Sequence, residues 1–234
     1  MPRRNYPRPR SNLPAKRTYK PIFGARHPIV YNDTVDNFHA DIENAFHEIL
    51  PLRAEDIKIA SNGKAEFPRV PFRIYNEPRR VAITVLERNL SRDYAESRNI
   101  RWNANDIGRI RGEIENELAR LALSGQKLGV NLTEAIRLGE AEHNGAAKLG
   151  VIIDQESPVS ELLIAEHEVI FGGLGRNLKK FKYPWSSYIP HMTVVRVRSE
   201  VDIPERNQMV AAVNRLLPIP VELEPIKFFA EQEI

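Results

Sequence analysis

A histidine and a threonine separated by one residue, His191 and Thr193, form the pair in this sequence best suited to chemistry at phosphorus. The surrounding segment, HMTVVRVR over residues 191–198, is rich in β-branched residues and is predicted to be a strand. Because side chains alternate between the faces of a strand, both residues point the same way. The hydroxyl can donate to a phosphate oxygen, and an imidazole that titrates near neutral pH can move a proton. Taken alone, the triplet also fits a structural histidine.

The segment PHMTVVRV, from Pro190 to Val197, resembles the second motif of the 2H phosphoesterases, which has the form Pro-His-x-Thr-x-x-Arg. This family includes bacterial 2′–5′ RNA ligases and RNA 2′,3′-cyclic phosphodiesterases. The resemblance covers roughly residues 28–230 and is strongest in 180–198. It implies two pseudo-symmetric lobes that each bring one His-x-Thr strand to a central cleft, with one histidine as base and the other as acid. It also suggests that Arg196 clamps a phosphate, although strict alternation puts this side chain on the face opposite His191.

The resemblance places the first motif on the strand predicted over residues 81–87, VAITVLE, where Thr84 takes the place of the family's threonine. The histidine position is Ala82, and a methyl group cannot carry a proton. Losing one such partner typically costs about 10²–10⁴ in rate. The protein is then a natural member that kept the cleft and lost the reaction, or an engineered His→Ala variant, or the register differs and another histidine serves. The other histidines of the chain are His27, His39, His47, His143 and His167.

The segment before His191 interleaves cations with aromatic residues, KKFKYPWSSY over residues 179–188. Cations can hold a nucleic-acid backbone while bases stack on the rings, at about 1–3 kcal/mol per base. We therefore predict that Lys182, Tyr183 and Trp185 contact the substrate. The alternative is that the aromatic rings cover the sheet.

The positive charge of the chain is concentrated at its N-terminus. Residues 1–26 contain eight cations and no acid, and since the whole chain carries +3, the remainder carries −5. The same segment is interrupted by five prolines, so we predict a disordered arm over residues 1–26 and a single bilobal domain over 27–234. The arm could bind nucleic acid by releasing counterions, or serve as a solubilising tail. The cations assigned to nucleic acid are Arg3, Arg4, Arg8, Arg10, Lys16, Arg17 and Lys20.

Apolar periodicity and turn signals predict a mixed α+β fold behind these candidate residues. The two halves of the chain each contain a helix, a strand and another helix, which indicates two pseudo-symmetric lobes with antiparallel sheets around a central cleft. Helices are predicted over residues 35–49, 106–123, 158 to about 172, and 204–217. Strands are predicted over residues 81–87, 132–138, 147–153, 191–198 and 219–229.

The composition excludes several kinds of chemistry. The chain has no cysteine, so disulfides, zinc ribbons, iron–sulfur clusters and thiol catalysis are excluded. No apolar run approaches the length that spans a bilayer, and the N-terminus lacks the apolar region of a secretory signal. We expect a cytoplasmic monomer that needs no metal and no cofactor.

Three functions are compatible with these features. The first is an enzyme that acts on RNA with a 2′,3′-cyclic phosphate or a 2′–5′ linkage, with reduced activity if Ala82 replaces a catalytic histidine. The second is a non-catalytic module that binds an RNA terminus or a nucleotide. The third is a structural protein of a ribonucleoprotein particle, into which the basic arm would thread.

Overall fold

Strands and helices alternate along the chain, as the sequence predicts. The protein is seen in a computed structural model that describes residues 20–50, 71–77, 81–89, 104–121, 125–138, 147–177, 188–197 and 201–232. Within these ranges there are eight strands and four helices. In chain order they are β1 (Lys20–Pro28), α1 (Asp33–Ile49), β2 (Phe72–Ile74), β3 (Ala82–Asn89), α2 (Ala104–Leu118), β4 (Leu128–Leu138), β5 (Ala147–Ile153), α3 (Pro158–Asn177), β6 (His191–Val197), α4 (Ile203–Asn214), β7 (Ile219–Leu223) and β8 (Lys227–Gln232).

The eight strands form one sheet, in which every pairing is antiparallel. The strand order is β7-β4-β5-β6-β3-β1-β8, and β2 adds to β6. Strands β3 and β6 lie side by side, and each has one further neighbour on its outer side, β1 next to β3 and β5 next to β6. The predicted α+β class, with two similar halves and antiparallel strands, is confirmed.

The helices pack in two pairs, α1 with α4 and α2 with α3. Each pair takes one helix from each half of the chain. The first helix begins at an Asn32 cap, whose side chain accepts a hydrogen bond from the Val35 amide at 3.1 Å. Its buried stripe recurs at steps of three and four and includes Phe38, Ile42 and Phe46. No helix in the described ranges is long and apolar enough to cross a membrane.

One predicted helix end is wrong. The sequence places the end of α3 near Gly172 and Gly173, but the helix continues to Asn177. The reason is helix packing, because a Cβ added at Gly173 would lie 2.5 Å from Cγ1 of Ile114 in α2. The glycine therefore lets two helices approach closely and does not terminate either of them.

Strand β1 was not predicted, and it overlaps the segment assigned to the basic arm. Lys20, predicted to contact nucleic acid from the arm, is a strand residue paired with Gln232. The strand belongs to the fold because it pairs with both β3 and β8, and its Ala25 is fully buried. The other predicted arm cations lie at positions 1–19, outside the described residues. The strand predicted over residues 219–229 is interrupted at 224–226, where Pro225 separates β7 from β8.

Candidate active site

The two motif strands meet at one residue pair, Ile83 of β3 with Met192 of β6. Opposed residues of an antiparallel pair share a face, and their chain neighbours point to the other face. Ile83 and Met192 are 0% and 1% exposed, which places them on the side of the buried core. The opposite face therefore holds the four motif positions, Ala82, Thr84, His191 and Thr193. Thr84, His191 and Thr193 are partly exposed, so this face is open at the centre of the sheet.

A β-bulge follows Thr193 in β6. In the pairing of β6 with β5, Thr193 is opposite Gly150 and Val195 is opposite Leu149, so Val194 is the extra residue of the bulge. The extra residue shifts the alternation, so Arg196 returns to the face of Thr193 and is exposed between buried neighbours. The sequence expectation that Arg196 faces away from the cleft is therefore wrong, because strict alternation does not hold across a bulge.

Strand β3 repeats this irregularity at the corresponding place. Thr84 pairs with Arg26 of β1, and the next residue, Val85, is passed over in the ladder. Each motif strand thus has a threonine, a bulge directly after it, and a flanking strand on its outer side. Counting back two residues from each threonine gives Ala82 in β3 and His191 in β6. The two positions are equivalent in the geometry of the sheet.

His191 is held in one orientation and one tautomer. Its Nδ1 lies 2.7 Å from the carbonyl oxygen of Ile189, and since a carbonyl can only accept, Nδ1 carries the proton. In the neutral ring Nε2 then has a free electron pair. Gly150 of β5 makes room for two side chains, because a Cβ there would lie 2.6 Å from Cδ1 of Leu138 and 3.2 Å from Cδ2 of His191. Burial, together with the charge of Lys148, lowers the pKa of His191 despite the opposing effect of the Ile189 hydrogen bond. The imidazole can therefore accept a proton at neutral pH.

Cations gather on the same face of the sheet. Arg196 in β6 lies between Arg73 of β2 and Lys148 of β5, and each of these is its direct partner across the strands. Arg26 of β1 lies opposite Thr84 on the other side of β3. Guanidinium and ammonium groups around a histidine and two threonines favour an anionic ligand, above all a phosphate.

A buried hydrogen-bonded pair lies behind β3, on the covered face of the sheet. His27 is opposite Ile83, and its Nε2 lies 2.6 Å from Oε2 of Glu166 in α3. Its Nδ1 donates to the carbonyl oxygen of Glu224 at 2.8 Å. Sequence reasoning treated His27 as a spare histidine and missed this role. The sequence did contain one signal of a buried polar contact. Glu166 is an acidic residue that lies within the apolar stripe of α3, four residues before Ile170.

Tyr188 also supports β3 from outside the strand, and the sequence did not single it out for this. Its hydroxyl donates to the carbonyl oxygen of Thr84 at 2.9 Å, and its ring stacks on His167 with centroids 4.4 Å apart. Burial raises the pKa of Tyr188, and the nearby charge of Glu166 adds to this effect. The phenol therefore stays protonated and acts as a donor to the backbone of the motif strand.

Four of the five other histidines do not replace the missing one. His27 faces the core side, His39 and His47 are on α1, and His167 is on α3. None of these four lies on the open face of β3 or β6. His143 is outside the described residues, as are the predicted substrate contacts Lys182, Tyr183 and Trp185. Among the residues that the structure does describe, no group of three or more potential ligands could hold a metal ion.

No family model matches the chain, and no curated protein matches it. Among solved structures, that of Usb1 from Kluyveromyces marxianus is similar over 90% of this chain and 94% of that chain, with a TM-score of 0.48 and 9% sequence identity. A likeness at this level assigns no role to any residue.

Proposed function

We propose that this chain is a 2H phosphoesterase-like protein that binds RNA ending in a 2′,3′-cyclic phosphate or containing a 2′–5′ linkage. Its turnover is slow or absent, because Ala82 stands where the second proton carrier would be. One observation carries this proposal. Among the residues that the structure describes, His191 is the one histidine that shares an open face with Thr84 and Thr193, at the junction of the two motif strands, and its ring is held in one orientation.

The threonines and cations would hold the phosphate. The hydroxyls of Thr84 and Thr193 come from adjacent strands, so both can donate to oxygens of one phosphate seated over the Ile83–Met192 pair. Arg196, returned to this face by the bulge, can add charge-assisted hydrogen bonds.

The number of groups that can transfer a proton explains why turnover would be slow. In ring opening, Nε2 of His191 takes a proton from water while the water oxygen bonds to phosphorus. The electron pair of the breaking phosphorus–oxygen bond goes to the ribose oxygen, which then needs a proton. A second histidine would supply that proton, and the methyl group of Ala82 cannot. The reaction is therefore slower by about 10²–10⁴ than with two proton carriers.

The test is to install the missing imidazole. With an oligonucleotide that ends in a 2′,3′-cyclic phosphate, Ala82→His should raise the ring-opening rate by about 10²–10⁴. The matched control is Ala82→His combined with His191→Ala. It again has one imidazole at the two motif positions, now on β3, and should fall back to the wild-type rate.

Two results would contradict the proposal. The wild-type protein could already turn over at the rate of Ala82→His, or the control could keep the full gain. Because position 82 is only 5% exposed, the circular dichroism of each variant is compared with wild type. An independent readout is the ring-proton NMR signal of His191. It should shift when a nucleoside 2′,3′-cyclic phosphate is added to the wild-type protein.

A purely binding role is the second candidate, and the burial of Ala82 favours it, since a methyl group packed at 5% exposure leaves little space for a water molecule to act as acid. In that case neither wild type nor Ala82→His opens the ring, while RNA binding remains sensitive to salt. The arm cations at positions 3–17 are proposed to add non-specific affinity, and deleting residues 1–19 should then flatten the salt dependence of binding.

A further inference from the structure

A tyrosine follows β2 on the side of the site where the second histidine is missing. Strand β2 pairs with β6 without a shift of register, and Arg73 is opposite Arg196. Since Arg196 is on the open face, Arg73 shares that face, while the next residue, Ile74, packs against the hydrophobic core. Tyr75 comes after Ile74 and therefore points back to the open face, where it is partly exposed.

The backbone of Tyr75 is fixed close to the motif residues. Strand β5 pairs along the whole of one edge of β6, so β2 and β3 share the other edge. On that edge β3 meets β6 at Met192, and the amide of Tyr75 donates to the carbonyl oxygen of Val194 at 2.9 Å. The two contacts are two residues apart along β6, which is about 7 Å. A tyrosine side chain spans such a distance, so its hydroxyl can reach a phosphate seated over the Ile83–Met192 pair.

Tyr75 and His191 lie at opposite ends of this phosphate position. Strands β3 and β6 run antiparallel through the Ile83–Met192 pair, so Ala82 lies at the end toward Val194, where Tyr75 is bound. His191 precedes Met192 and lies at the other end. A phenol and an imidazole would therefore flank one phosphate, and the phenol would be on the side of the missing histidine.

We propose that Tyr75 donates the proton that the ribose oxygen needs when its bond to phosphorus breaks. This inference rests on the proposed function and identifies a group through which turnover is slow and not absent. Nε2 of His191 takes a proton from the attacking water, whose oxygen bonds to phosphorus, and the Tyr75 hydroxyl gives its proton to the leaving ribose oxygen. The phenolate then takes a proton from solvent and His191 releases one to solvent, so the protein returns to its starting state. Tyrosine can act as a general acid, but it is less effective than an imidazolium, because the best acids titrate near the working pH.

Removing the phenol hydroxyl tests this role. With a nucleoside 2′,3′-cyclic phosphate as substrate, Tyr75→Phe should lower the wild-type kcat by about 10²-fold, the low end of the range for a positioned acid. In the Ala82→His background the installed imidazole supplies the proton, so the same substitution should leave kcat nearly unchanged. An equal loss in both backgrounds would overturn the assignment, because the effect would then not depend on which group at this end of the site carries the proton.

The matched control is Tyr31→Phe. The Tyr31 hydroxyl donates to Oδ1 of Asp36 in α1 at 2.7 Å, so its removal should leave ring opening unchanged. The affinity of Tyr75→Phe for the cyclic phosphate, followed by the NMR shift of the His191 ring proton, should match that of wild type, because the hydroxyl acts on the bond that breaks. A lower affinity with an unchanged kcat would show that the phenol only binds the ligand, and the assignment as proton donor would be wrong.

The same measurements separate this inference from the proposed function. If Ala82→His opens the ring but wild type does not, or if Tyr75→Phe is as fast as wild type, Tyr75 is not the proton donor and the proposed function stands. If neither wild type nor Ala82→His opens the ring, the proposed reaction fails and this inference fails with it.

Discussion

Breaking the buried pair of His27 and Glu166 should destabilise the protein strongly, because the pair joins β1 to α3 directly behind the motif strand and its members are shielded from water. Both side chains are almost fully buried, at 2% and 0% exposure. Since Nδ1 of His27 already donates to the Glu224 carbonyl, Glu166→Ala leaves Nε2 with no partner in the core. Removing one member of a buried pair costs about 3–5 kcal/mol. For a chain of this size that corresponds to a fall in Tm of roughly 6–20 °C.

Urea unfolding and calorimetry of three variants would measure this effect. Glu166→Gln keeps a side-chain amide that can hydrogen-bond to Nε2, so it should lose less stability than Glu166→Ala. Glu168→Ala is the matched control, since Glu168 is exposed on the same helix and should change the free energy of unfolding by about 0.5 kcal/mol or less. A Glu166→Ala protein within about 1 kcal/mol of wild type would refute the reasoning, because it would mean that the core leaves the imidazole adequately solvated.

Two further predictions concern packing and pH. Gly173→Ala should destabilise the fold by about 1–3 kcal/mol, because its Cβ would meet Ile114 at 2.5 Å, whereas Gly175→Ala, with open space around it, should stabilise by about 0.5–1 kcal/mol. Urea denaturation of the two variants checks this, and effects of the same sign would contradict it. Burial lowers the pKa of His39 and of His191 below the usual 6.5, so the unfolded chain binds more protons than the folded chain below that pH. The free energy of unfolding should therefore fall as the pH is lowered through about 6.5, and His39→Leu should make this dependence shallower. A stability that stays level or rises on acidification would count against it.

The elements that the sequence predicts well are those whose signal is local. The strand predicted over residues 147–153 matches β5 at both ends, and the stripe of α1 is visible at steps of three and four. Strand β1 has no such signal, because its place in the fold depends on pairing with β3 and β8, which are distant in the chain. Local periodicity cannot report which distant strand a segment will meet.

In the candidate site, too, the features with a local sequence signal are predicted and those that depend on distant contacts are not. Alternation along a strand is enough to put His191 and Thr193 on one face, and the structure agrees. The same rule fails for Arg196, because a bulge is a property of two paired strands and is not visible in one. The contact between His27 and Glu166 joins residues 139 positions apart, so the apolar stripe can indicate that Glu166 is buried but not which residue it contacts.

Each helix pair contains one helix from each half of the chain, and this has a consequence for how the protein assembles. Since α1 packs on α4 and α2 on α3, a cut between α2 and β4 would leave two fragments that each lack half of both helix layers. Neither fragment should be stable alone, and mixing them should restore the fold by complementation. A ligand held by Thr84 and Thr193 would then fasten one fragment to the other, and its presence should tighten their association.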